Sequence, residues 1–129
     1  LDETIARKRE IGAKYSDLLK DCPFLQLPVP ETSYAKNVYW VYPVVLHDSC
    51  AMNATEAMIR LEERQIGTRP FFYPMHKQPV FNKLGLFAND THHNAEWIAE
   101  RGFYIPSGLG ISNNEIHRVA DSLLETVQG

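Results

Sequence analysis

Two prolines limit how this chain can fold. Pro70 and Pro74 bracket the run Arg69-Pro70-Phe71-Phe72-Tyr73-Pro74-Met75-His76, which gathers a guanidinium, three consecutive aromatic rings and an imidazole. A proline fixes φ, withholds an amide donor and biases the residue before it towards extended backbone. Arg69 and Tyr73 are therefore driven into extended conformation, and the spacing predicts a short strand at a sheet edge or leading into a loop. Alternate side chains of a strand share a face, so Arg69, Phe71 and Tyr73 fall on one side and Phe72 on the other. Two readings follow. Either Phe72 fills the core and the other three form a half-exposed surface, or the run is a ligand wall. In the second case rings stack on a flat group while arginine holds a phosphate or carboxylate.

The segments around this run alternate in period. Residues 1–20 read as a helix with Ile11, Tyr15 and Leu18 in one stripe, widened by Ile5 and Leu19. Pro23 ends it, and the stretch to Ser33 reads as a surface connection without a strand. Asn37 to His47 is β-branched, aromatic or apolar along most of its length, which predicts a central strand covered on both faces, with Pro43 absorbed at a bulge or an open edge. Asn53 to Gln65 predicts a helix with an Asn53/Glu56 capping box, a buried stripe of Ala54, Met58 and Leu61, and Gly67 closing its C-terminus.

From Lys77 to Asn89 the pattern gives a loop with one helical turn near Phe81–Leu84. A helix capped by Asp90 or Thr91 then runs to Arg101, burying Ala95, Ile98 and Trp97, and Gly102 stops it. Phe103 to Ile105 is a short strand, and Ser112/Glu115 opens a final helix with Ile116, Val119, Leu123 and Val127 on one face. The outcome is a single α/β (α+β) sandwich domain: a small three-stranded sheet with helices packed against it.

A chain of 129 residues is long enough for one domain with a real core. Its formal charge of −3 argues against a nucleic-acid surface, which needs clustered cations. No stretch approaches the roughly 20 apolar residues of a membrane span. Two cysteines, Cys22 and Cys50, in a chain of this size fit a reducing, cytoplasmic setting. The five histidines form no HExxH pattern and the cysteines no CxxC, so no metal site is expected. His76 either bonds a ligand oxygen or caps a backbone carbonyl. Nucleotide-phosphate loops and nucleophile elbows are missing too, leaving no self-contained catalytic constellation.

The order and wording of these segments resemble a known family. Leu61-Glu62-Glu63-Arg64-Gln65 followed by the run from Thr68 to Pro79 is similar to the C-terminal part of the DegT/DnrJ/EryC1/StrS sugar aminotransferases. Tyr39-Trp40-Val41-Tyr42-Pro43-Val44-Val45 upstream, Ile105-Pro106-Ser107-Gly108 downstream and the opening of the last helix at Ser112-Asn113-Asn114-Glu115-Ile116 support the match. Within the group the chain looks like the perosamine synthases, which aminate a GDP-linked 4-keto-6-deoxymannose.

That resemblance implies a pyridoxal 5'-phosphate enzyme in which a large domain carries the cofactor and its Schiff-base lysine. These residues would be the small C-terminal domain, inactive alone. It further implies a nucleotide-sugar substrate, an amino-acid donor such as glutamate, and a homodimer. Arg69 would contact phosphate or sugar oxygens, Phe71 and Tyr73 would form an apolar wall, and His76 would bond a sugar hydroxyl. The rival expectation is a stand-alone binding domain that uses the aromatic and arginine strand as a protein interface.

Overall fold

The computed structural model describes residues 1–129, and the strand β2, Tyr42–Leu46, lies at the centre of its sheet. Tyr42, Val44 and Leu46 alternate along it and are each 0% exposed, so one face of the strand lies wholly in the core. Val45 points the other way and is buried outside that core. Strands β1 (Leu25–Gln26) and β4 (Gly102–Ile105) flank β2, and β3 (Arg69–Pro70) pairs beyond β4. The sheet order is β1-β2-β4-β3, with every neighbouring pair antiparallel.

The sheet therefore has four strands where three were expected. β1 lies in the stretch expected to hold none: Leu25 stands opposite Leu46 and Gln26 opposite Val45. Two residues are too few to show a period of two, so pairing with β2 alone makes this a strand. The open-edge expectation for Pro43 holds for a specific reason. His47 donates its amide to Phe24 on the β1 side, so Pro43, four residues back, directs its nitrogen the same way. β1 ends opposite Val45, and no strand waits there for the missing donor.

The upstream half of the expected strand, Asn37 to Val41, is not one. Asn37 Oδ1 accepts from the Tyr39 amide at 2.8 Å, an Asx turn that competes with extended backbone. Tyr39 is left-handed, at φ 50°, a conformation that disfavours L-residues. Its ring lies against Gly12 of helix α1 (Asp2–Leu19), where a Cβ would stand 2.4 Å from a ring carbon. The ring then stacks on Tyr42, with centroids 5.9 Å apart and planes at 11°, and Tyr42 meets Tyr15 at 5.0 Å. The hydroxyls are satisfied, Tyr42 with Ser16 at 2.9 Å and Tyr15 to the Pro106 carbonyl at 2.6 Å. Gly12, a weak point for a helix by propensity, is the position that lets this stack form.

Helix α2 (Ala54–Glu63) and helix α5 (Asn113–Gln128) have the expected capping boxes, Asn53 with Glu56 and Ser112 with Glu115. Ile116, Val119, Leu123 and Val127 are all buried, and α5 packs between α1 and α2. The close of α2 differs from expectation. Gln65, at φ 61°, takes the left-handed position, and Ile66 donates to the Leu61 carbonyl at 2.9 Å while Gln65 donates to Glu62 at 2.8 Å. Gly67 lies beyond that motif and has no left-handed backbone. Burial of Ile66 and Leu61 holds the motif in place of a glycine.

Between β3 and β4 the chain forms a 3-10 turn at Met75–Lys77, a short helix α3 (Pro79–Lys83) where one turn was expected, and helix α4 (His93–Arg101). α4 departs most from the sequence reading. It starts after His92 with no side-chain cap and has no buried residue; Ala95 is exposed and Ile98 is 40% exposed. It is held by polar contacts: Trp97 Nε1 to Asp48 at 2.8 Å, and the Arg101 guanidinium to the Cys50 and Met52 carbonyls at 3.2 and 2.8 Å. Cys22 and Cys50 are buried and unpaired, and no helix is long and apolar enough to cross a membrane.

Replacing Gly12 by alanine should destabilise the fold by about 1–3 kcal/mol, although alanine is the better helix former, because the added methyl displaces the Tyr39 ring. Urea unfolding measures this, and a Gly12→Ala variant as stable as the parent would contradict the close packing.

Candidate functional site

β3 is only two residues long, Arg69 standing opposite Tyr104 and Pro70, which has no amide to donate, opposite Phe103 of β4. The alternation expected through Tyr73 therefore stops at Pro70. Phe72 does not reach the core; it is 80% exposed. Phe71 takes a special place: its amide donates to the Gly102 carbonyl at 3.4 Å and its ring lies over Gly102, where a Cβ would approach to 2.4 Å. The ring also meets Tyr104, with centroids 4.6 Å apart. An aromatic laid over a glycine on the neighbouring strand covers backbone that would otherwise be open to water.

Beside β3 lies a concavity of about 380 Å³ lined by Arg69, Thr68, Tyr104, Trp40, Lys8 and Ser107 among others. Arg69 is exposed, as the ligand-wall reading requires. Arg7, Arg9, Arg64, Arg101 and Arg118 are each committed to a carboxylate or carbonyl, whereas the guanidiniums of Arg69 and Arg60 bond nothing, and of these two only Arg69 lines this concavity. Lys8 reaches into the same concavity, bonded to the Ser107 carbonyl at 2.5 Å, and burial lowers its pKa. Two cations beside Trp40 and Tyr104 are residue types suited to an anion attached to a flat group. A larger hollow of about 610 Å³ lies between α1 and the 27–37 connection. It contains none of Arg69, Phe71, Tyr73 and His76, and of its three cations Arg9 and Lys20 already bond Asn37 and Asp17, leaving Lys36.

His76 lies elsewhere, in the 3-10 turn, 7% exposed and against α4. Its Nε2 is 2.8 Å from Glu96 Oε1, which answers the choice left open by the sequence: the partner of that nitrogen is a carboxylate of the chain itself. Lys77 Nζ bonds the other oxygen of Glu96 at 2.6 Å, and the His92 amide donates to Oε1 at 3.1 Å. These bonds, Lys77 first and then His76 and His92, hold the Glu96 carboxyl down at about 2. Tyr73 is exposed, its carbonyl accepting from Gln78 Nε2 at 3.0 Å. Arg69 and Phe71 thus meet around Tyr104, while Tyr73 and His76 belong to the loop beyond.

Sequence reasoning missed Glu96, Lys8 and Trp40. No local signal marks Glu96, since its side-chain partners Lys77 and His76 are 19 and 20 positions away. The six lysines differ in their surroundings. Lys14, Lys20 and Lys77 are in ion pairs, Lys8 bonds a carbonyl, and Lys36 and Lys83 are exposed. A lysine nucleophile needs burial; Lys8 is partly buried, and its amine is taken by the Ser107 carbonyl.

Residues 1–124 match the model of the DegT/DnrJ/EryC1/StrS aminotransferase family. Among curated relatives, the chain is 29% identical over 124 residues to GDP-perosamine synthase of Escherichia coli O157:H7, covering 96% of this chain and 32% of that protein. It is 28% identical over 128 residues to dTDP-4-dehydro-2,3,6-trideoxy-D-glucose 4-aminotransferase of Saccharopolyspora spinosa, covering 99% of this chain and 31% of that protein. The fold matches S. venezuelae DesV, solved in complex with a ketimine intermediate, with TM-score 0.84, 22% identity and coverage of 99% of this chain and 33% of that one. The chain spans about a third of the length of these proteins.

The Glu96 carboxyl is lowered from 4.5 to about 2 on folding, so its bonds stabilise the loop fully above pH 4.5 and are lost as pH falls towards 2. The difference in unfolding free energy between the parent and Glu96→Gln should therefore shrink as pH falls from about 4.5 towards 2. Urea unfolding at a series of pH values checks this; a gap that widens in acid would contradict it.

Proposed function

We propose, since the chain belongs to the DegT/DnrJ/EryC1/StrS aminotransferase family, that it is the small C-terminal lobe of a pyridoxal-phosphate enzyme. That enzyme transfers an amino group from an amino acid, such as glutamate, to the keto carbon of a nucleotide-linked deoxysugar. The cofactor would supply the amine-transfer chemistry from a separate, larger lobe, since the lysines here are exposed or committed. On this reading the isolated 129 residues are inactive and the whole protein works as a homodimer. Its two buried, unpaired thiols fit a reducing cytoplasm.

The observation that carries the reading is the uncommitted Arg69 guanidinium, held at the rim of a cleft with Lys8 and the rings of Trp40 and Tyr104. Arg69 would grip phosphate or sugar oxygens, with Phe71 and Tyr73 as the apolar wall and His76 bonding a sugar hydroxyl. The choice of GDP-4-keto-6-deoxymannose as substrate rests on the likeness to perosamine synthase. The second relative acts, by its name, on a dTDP-sugar, so the diphosphate and deoxysugar are the common features and the base is the variable one.

A second reading, a stand-alone interaction domain, draws on the exposed Phe72, Met75 and Leu84. The two part company in kinetics. In the complete enzyme Arg69→Ala should raise the sugar-nucleotide KM by roughly 10–100-fold, the worth of charge-assisted hydrogen bonds, and leave the amino-donor KM within about twofold. Equal effects on both substrates, or none on either, would remove Arg69 from the site.

A further inference from the structure

Glu96 joins two segments that the sequence keeps apart. Its Oε1 faces His76 Nε2 at 2.8 Å and its Oε2 takes Lys77 Nζ at 2.6 Å, so α4 grips both basic residues of the turn. A carboxylate offers only lone pairs, so the hydrogen in the contact with His76 belongs to Nε2. A neutral imidazole with its hydrogen on Nε2 has a free lone pair on Nδ1.

Nδ1 makes no hydrogen bond, yet the molecule has no buried side-chain nitrogen or oxygen without a partner. The little exposure His76 retains, 7%, therefore includes Nδ1. The His92 ring, edge-on with its centroid 4.8 Å away, restricts the imidazole further. The ring is fixed at one nitrogen and open at the other.

We propose that Glu96 is a positioning residue that presents His76 Nδ1 as a hydrogen-bond acceptor, selecting a sugar ligand by a hydroxyl at that point. This rests on the sugar-aminotransferase reading and sharpens it. An acceptor bonds a hydroxyl but has nothing to give a carbonyl or phosphate oxygen, so His76 reads a hydroxyl away from both the keto carbon and the diphosphate. Arg69 and Lys8 carry the anion, and the Glu96–His76 pair carries the sugar.

Two measurements on the complete protein test this. In the parent, long-range proton–nitrogen spectra at pH 8 should show His76 with hydrogen on Nε2 and bare Nδ1, a result that needs neither activity nor a variant. Hydrogen on Nδ1 would overturn the proposal. In kinetics, Glu96→Gln should raise the sugar-nucleotide KM about tenfold with the amino-donor KM unchanged. Because Glu96 acts through His76, the double variant Glu96→Gln/His76→Phe should be no worse than His76→Phe alone. Additive losses would mean Glu96 acts independently and would overturn the proposal. If Arg69→Ala shifts the sugar KM and Glu96→Gln does not, this inference falls while the aminotransferase reading stands. If neither shifts it, this inference falls and Arg69 leaves the site as well.

Discussion

The contact of the Phe71 ring with the bare backbone of Gly102 joins the packed scaffold to the proline-bounded segment. On one side lies β4, whose Phe103 and Ile105 are buried in the core. On the other lies the proline-bounded run, which makes only two residue pairings with the sheet. A side chain at position 102 would collide with both the Phe71 ring, at 2.4 Å, and the Ile98 carbonyl, at 2.7 Å. Gly102 thus ends α4, begins β4 and leaves room for the ring that places Arg69 and Tyr104 across from one another. One small residue serves the helix, the sheet and the cleft.

The molecule has two kinds of cohesion. Sheet, α1, α2 and α5 share a core of 22 buried residues, where burial of apolar surface is the main source of stability. The segment from Phe72 to Arg101 has almost no such burial and hangs on directional polar contacts: Glu96 to the His76 turn, Trp97 to Asp48 and Arg101 to two carbonyls. Polar attachments at a surface are individually weak, so this is where local opening should be easiest. Its exposed Phe72, Met75, Val80 and Leu84 are costly to leave in water, and a larger lobe or second subunit over them would relieve that cost.

Charge is distributed to the same end. Glu10 is surrounded by Arg7 and Lys14, and Glu96 by Lys77 and His76, each carboxyl held at about 2. Those pairs neutralise themselves, whereas Arg69 stays unpaired despite the overall negative balance. In a chain with more acids than bases, an unpaired guanidinium sharing a concavity with a second cation, Lys8, is a place where an external anion is favourably received.

The chain's local rules were legible in its residues. The capping boxes at Asn53 and Ser112, the stripe of α5 and the edge character of Pro43 follow from short-range chemistry that acts within a few positions. The resemblance carried by Thr68 to Pro79 reached the family for the same reason, since a motif is a local string. Tertiary structure decided whatever depends on partners distant in the chain. β1 is a strand only because β2 lies beside it, and Tyr39 leaves the strand because Gly12 leaves a place for its ring. α4 turns no residue into the core, although its apolar spacing suggested burial, because polar anchors far along the sequence set its pose. Glu96 is an ordinary helix glutamate until folding brings the turn 20 residues earlier within 2.8 Å. Propensity and capping act along the chain, but burial and long-range pairing exist only once it has closed on itself.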